Sequence, residues 1–132
     1  MSRRLFLPAA GLSALAALTI TVAACGGSSG SSSTPPTIPA GALEVDAVAG
    51  LRFDAEEYTA AAGSVTIAYV NEDSQRHTLV IKDADGIIIG DKMEVTKKND
   101  IDIQTVELAA GEYEILCDVP GHGTMKAILT VE

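Results

Sequence analysis

Cys117, His122 and Met125 place a thiol, an imidazole and a thioether within nine residues, in Cys117-Asp118-Val119-Pro120-Gly121-His122-Gly123-Thr124-Met125. The chain has one other histidine, His77, about forty residues upstream in Val70-Asn71-Glu72-Asp73-Ser74-Gln75-Arg76-His77-Thr78-Leu79-Val80-Ile81. One thiolate, two imidazoles and a weak thioether make a soft donor set. Softness of this kind suits copper, with Cys and two His in a trigonal plane and Met at a longer axial distance. Zinc also accepts Cys and two His, but its structural sites take a fourth ligand from Cys or His, and a thioether is a poor substitute. Each residue alone has an ordinary use, the cysteine as a small buried hydrophobe, the histidine and methionine as packing. What sets them apart is that both histidines and the only cysteine beyond residue 25 fall into one pattern.

Strands must carry these side chains, because residues 41–132 alternate with period two and show no amphipathic helix. Leu43-Glu44-Val45-Asp46-Ala47-Val48 has its apolar residues at odd positions, and Leu51-Arg52-Phe53 repeats the pattern after Gly50. Val65, Ile67 and Tyr69 share a face in the run after Gly63, and His77 to Lys82 forms the next strand with the histidine at its start. Asp83-Ala84-Asp85-Gly86 is a turn, and Ile87-Ile88-Ile89 is a strand or a loop near the metal. In Ile101-Asp102-Ile103-Gln104-Thr105-Val106-Glu107-Leu108 the apolar phase slips once, which predicts a bulge near Gln104 or Thr105. Tyr113, Ile115 and Cys117 point one way, so the thiol emerges from the apolar face at a strand end. Met125, Ala127, Leu129 and Val131 then alternate to close the domain. Pro120 restricts the loop between the ligands, while Gly121 and Gly123 permit unusual backbone angles there. Short strands with Gly and Asp turns predict an all-β antiparallel sandwich of seven or eight strands.

C-x4-H-x2-M near the C-terminus, the upstream V-N-x5-H-x-L-V-I segment and the G-x-Y-x-I-x-C strand together resemble the cupredoxins, the small blue copper proteins. The resemblance covers roughly residues 41–132. It implies a Greek-key version of the sandwich and one copper ion held by His77, Cys117, His122 and Met125. It also implies single-electron transfer between a donor and an acceptor protein, with electrons passing through the edge of His122. The short His122 to Met125 spacing is similar to amicyanin-like loops. Thr78 stands where many members have an Asn that ties the ligand loops together. Four protein ligands leave no open position for a substrate, so no enzymatic activity is expected. Two other functions remain compatible with these residues: extracytoplasmic copper delivery or storage, and an interaction module with a degenerate site.

Residues 1–24 read as an export signal: basic at Arg3 and Arg4, then apolar to Ala24. Ser2-Arg3-Arg4-Leu5-Phe6-Leu7 also looks like a twin-arginine address, so either that route or the general secretory route fits. Val22-Ala23-Ala24-Cys25 resembles a lipobox, which makes Cys25 the lipidated N-terminus and leaves no role for a Cys25–Cys117 disulfide. Residues 25–40 are nearly all Gly, Ser, Thr and Pro, too poor in apolar surface to fold. Such a tether reaches roughly 20 Å as a coil. The predicted location is therefore extracytoplasmic and lipid-anchored. Loss of residues 1–24 leaves seven Lys and Arg against eighteen Asp and Glu, a net charge of −11. That balance disfavours nucleic acid and either keeps a tethered domain soluble or steers a basic redox partner; the domain is expected to be a monomer. Glu44, Asp46, Asp54, Glu56 and Glu57 read as a solvated face, and Lys92, Lys97 and Lys98 as a basic hairpin cluster.

Overall fold

The computed structural model describes Thr34 and residues 36–132. The export segment, Cys25 and most of the expected tether lie outside the described residues. Nine strands follow in order: β1 (Leu43–Val48), β2 (Arg52–Phe53), β3 (Glu57–Ala60), β4 (Gly63–Asn71), β5 (His77–Lys82), β6 (Ile88–Val95), β7 (Ile101–Leu108), β8 (Gly111–Leu116) and β9 (Lys126–Val131). They form a four-stranded sheet, β2-β1-β4-β7, and a five-stranded sheet, β3-β9-β8-β5-β6. Successive strands keep crossing between the sheets, at β2 to β3, β3 to β4, β4 to β5, β6 to β7 and β7 to β8, which gives the Greek-key character. Among the described residues no helix is long and apolar enough to cross a membrane.

The expected sandwich is present, with two pairings that are parallel, β1 with β4 and β3 with β9. Parallel neighbours need a crossover between them, and β2 and β3 supply it for β1 and β4. The alternating residues face inward as the period predicts. Val45, Ala47, Val65, Ile67, Tyr69, Leu79, Ile81, Ile115, Leu129 and Val131 belong to one core between the sheets. Phe53 meets Tyr69 edge to face, with ring centroids 6.2 Å apart, a favoured aromatic geometry. β5 is buried from His77 to Ile81 because β8 and β6 flank it.

Two expectations, the bulge in β7 and the basic cluster, need correction. β7 pairs with β4 in unbroken register from Ile101 to Leu108, so no bulge interrupts it. Its phase slip arises because Asp102 and Gln104 share the inward side with Val106 and Leu108. There they meet β6 rather than the apolar core: the Glu94 N–H donates to Asp102 Oδ2 at 2.9 Å. The irregularity lies between β5 and β6, where Leu79 pairs with Met93 but Ile81 pairs with Ile89. Gly90 sits in that bulge at φ 72°, and a Cβ there would come within 3.0 Å of Gln104 Oε1. Of the two readings of Ile87-Ile88-Ile89 the strand holds, since β6 begins at Ile88, and the run lies at the opposite end of β5 from His77. Lys97 and Lys98 lie in the β6–β7 turn, while Lys92 in the bulge pairs separately with Asp118.

Glu44, Asp54, Glu56 and Glu57 are exposed as expected, and Asp46 alone of the acidic face is partly buried. Asp54 Oδ1 accepts from the Asp46 N–H at 2.8 Å and from the Tyr58 hydroxyl at 2.6 Å. Asp46 Oδ1 is buried with no hydrogen-bond partner. Burial, then the charges of Asp54, Glu44 and Glu72, push the Asp46 carboxyl up from 3.8 to about 6. The folded chain therefore holds a proton between these values that the unfolded chain releases, so this group's contribution to stability declines as pH rises through that window. Asp46→Asn removes the strained charge. We expect its melting temperature at pH 7.5 to exceed the parent's by roughly 2–4 °C, with the gain disappearing toward pH 4 in thermal melts.

Candidate metal centre

His77 begins β5, Cys117 directly follows β8, and His122 and Met125 lie in the loop that leads into β9. β8 pairs with β5 through Val80 and Leu116, which brings Thr78 and Cys117 together at one end of that sheet. The loop then folds back over the same end. The His122 N–H donates to Val119 O at 3.0 Å, the Met125 N–H to His122 O at 2.9 Å and the Cys117 N–H to Met125 O at 3.0 Å. The last of these closes the base of the loop. Gly121 adopts φ 89°, as expected of a glycine there, whereas Gly123 needs no positive φ.

One ligand atom from each of His77, Cys117 and His122 lies within 4.8 Å of the others. All three residues are buried, and Met125 is fully enclosed. Cys117 Sγ stands 3.6 Å from His122 Nδ1. A first-row metal about 2.3 Å from sulfur and about 2.0 Å from nitrogen, in a trigonal plane, requires a separation of about 3.7 Å. The two imidazole centroids are 5.0 Å apart and tilted by 46°.

His77 has the tautomer a metal ligand needs. Its Nε2 lies 3.1 Å from Asp73 Oδ2, an acceptor, so the ring proton belongs on Nε2. Nδ1 is then a bare lone pair, and it is buried without any hydrogen-bond partner. Buried polar atoms are ordinarily satisfied, so an orphan beside a thiol and a second imidazole fits a bound cation. The hydrogen bond from His77 also holds the Asp73 carboxyl below its usual range, helped by the Ser74 N–H. Such outer partners orient ligating imidazoles. Asp73→Ala is expected to lower metal affinity about 10–100-fold in a chelator competition titration, with the fold unchanged by circular dichroism.

Asn71, Tyr69 and Asp118 support the site although sequence alone does not single them out. Asn71 is fully buried; its Nδ2 donates to Gln75 O at 2.7 Å and its Oδ1 accepts from the Asp73 N–H at 2.9 Å. It thereby shapes the loop that presents Asp73 to His77. The Asn71-x-Asp73 spacing, an Asx turn, was the available signal. Tyr69 donates its hydroxyl to Thr78 O at 3.2 Å, linking β4 to β5 across the sandwich. Thr78 and Asp118 bond to each other beside the sulfur. The Thr78 hydroxyl, together with Lys92, keeps the Asp118 carboxyl below its usual range. Thr78 therefore ties the two ligand segments together, the task expected of Asn at that position. Cys25 lies outside the described residues.

The family described as cupredoxin-like domain matches residues 14–131. No curated protein matches the chain. Among solved structures, reduced auracyanin from Roseiflexus castenholzii aligns at TM-score 0.61 and 22% identity, covering 72% of this chain and 99% of that one. Auracyanin A from Chloroflexus aurantiacus, described as a blue copper protein, aligns at TM-score 0.59 and 26% identity, covering 69% and 98%. Amicyanin from Paracoccus versutus aligns at TM-score 0.54 and 23% identity, covering 72% and 85%.

Proposed function

Since this chain belongs to the cupredoxin-like domain family, we propose that it is an electron carrier whose copper ion is held by His77, Cys117, His122 and Met125. The observation that carries this reading is the buried cluster of one thiol and two imidazoles, with His77 Nδ1 left without a partner. A bound copper supplies a one-electron couple between Cu(II) and Cu(I). The chain supplies a buried pocket whose candidate ligands are held in place by hydrogen bonds. His77 is held through Asp73, Cys117 by the end of β8 and the Thr78 N–H, and His122 by the turn closed through Met125. Rigid ligands keep rearrangement small, and small rearrangement makes exchange fast. Met125, from the same loop, would supply the weak thioether ligand that tunes the potential. His122 is the most exposed of the four at 8%, which favours its ring edge as the electron's way in and out. Burial of all four residues favours retention of copper over delivery to another protein.

The deciding experiment is the optical and paramagnetic resonance spectrum of the Cu(II)-loaded chain, followed by cyclic voltammetry. An intense thiolate-to-copper band at one copper per chain and a reversible wave support the carrier. A pale complex, or reduction without reversal, overturns it. Rapid transfer of the metal to an apoprotein would favour copper delivery instead.

The same proposal places the domain outside the cytoplasm, exported through residues 1–24, anchored by a lipid on Cys25 and exchanging electrons with a redox donor and acceptor there. Cys25→Ala should move the protein from the membrane fraction to the soluble fraction. Continued membrane retention of that variant would remove the anchor from the account.

A further inference from the structure

Thr78 follows one proposed ligand, Asp118 follows another, and the two residues close a ring of hydrogen bonds beside the sulfur. The Asp118 N–H donates to Thr78 Oγ1 at 2.9 Å, and the Thr78 hydroxyl donates to Asp118 Oδ1 at 2.7 Å. Thr78 Oγ1 also lies 3.5 Å from Cys117 Sγ. A hydroxyl has one proton to give. A short, charge-assisted bond to a carboxylate outcompetes a long contact to sulfur, so Asp118 takes the proton. The sulfur keeps the Thr78 backbone N–H, at 3.4 Å. The other Asp118 oxygen accepts from Lys92 Nζ at 3.1 Å.

We propose that Asp118 is a potential-setting residue, which draws the Thr78 hydroxyl off the Cys117 sulfur and lowers the reduction potential of the site, with Lys92 moderating its charge. The proposal rests on the copper reading above. Reduction adds one negative charge to the centre and makes the sulfur more electron-rich. Donors to sulfur therefore stabilise the reduced state more than the oxidised one, a known lever on such sites. A neighbouring carboxylate does the reverse through its charge. Asp118 thus acts twice in one direction, by its charge and by withholding a donor. Lys92 acts in the opposite direction, from a position set by the β6 bulge.

The two effects separate in variants of the full chain, loaded with Cu(II) and titrated at one pH and ionic strength. Asp118→Asn keeps an acceptor oxygen for Thr78 and loses the charge, so the midpoint potential rises. Asp118→Ala also frees the hydroxyl for sulfur, so the potential rises further and the charge-transfer band moves to shorter wavelength. Adding Thr78→Val to Asp118→Ala returns the potential to the Asp118→Asn level or below. Lys92→Gln, at an exposed side chain, lowers it. In the metal-free protein, nuclear magnetic resonance should show a Thr78 hydroxyl proton protected from exchange, and Asp118→Ala should abolish that protection. Equal potentials for Asp118→Asn and Asp118→Ala, or no effect of Thr78→Val in the Ala background, overturn the proposal. Failure of the unchanged chain to form a coloured, reversible copper complex would remove the copper reading and this proposal with it. That outcome is distinguishable from coloured variants whose potentials do not move.

Discussion

Cys117→Ala is expected to abolish the visible colour of the copper-loaded protein and its reversible redox wave while leaving the sandwich folded. Cys117 is buried at 3% exposure, and the change removes one sulfur atom from the core. A loss of that size costs about 1 kcal/mol, close to the usual effect of a single substitution. The metal centre loses far more, since the thiolate is the only anionic member of the proposed ligand set and the only source of a sulfur-to-metal transition in the visible. Affinity should fall by more than the about 10–100-fold that losing an outer partner costs. Optical titration with Cu(II) measures colour and stoichiometry together, and a parallel thermal melt checks the fold. A variant that kept the band would show that Cys117 is not the thiolate ligand.

Asn71→Ala should produce the largest loss of stability among the polar residues around the centre. Its carboxamide lies at 0% exposure and satisfies two backbone groups, Gln75 O and the Asp73 N–H. Each group left unsatisfied costs about 1–3 kcal/mol, which sums to about 2–6 kcal/mol for the two. The loop from Glu72 to Arg76 would loosen, and with it the Asp73 carboxylate that orients His77. Urea denaturation of the metal-free chain should therefore show a lower midpoint. The Cu(II) form should show weaker binding than the parent even where both are folded. Ser74→Ala, an exposed change in the same loop, should do neither. A midpoint unchanged in Asn71→Ala would mean that the loop is held by other contacts.

β1, β4 and β9 were legible because each buries one face, whereas most of β6 was not, because it is largely exposed. β1 and β5 begin and end where the alternation and turn residues predict, and His77, Cys117 and His122 meet as their types and spacing suggest. β3 was not legible. Of Glu57-Tyr58-Thr59-Ala60 only Tyr58 is fully buried, and one inward side chain makes no pattern. Asp102 and Gln104 break the apolar phase of β7 and so mimic a bulge, because apolar phase alone cannot show that polar side chains face a neighbouring backbone. The hydrogen bonds around the ligands were hidden for a related reason. Thr78 and Asp118 are 40 positions apart and acquire their roles only when β5 and β8 pair.

The same seam between β6 and β7 bears on how the molecule behaves in a crowd. Unpaired sheet edges invite another chain to add a strand, and long, flat, regular edges are the most hazardous. Here β2 has two residues and β3 has four, β6 is kinked at Gly90, and β7 turns a carboxylate toward the backbone of β6. Of these only β7 is both long and regular, and it lies beside β6. Short or irregular edges at β2, β3 and β6 lower the tendency to edge-to-edge aggregation, and the strong negative charge adds mutual repulsion.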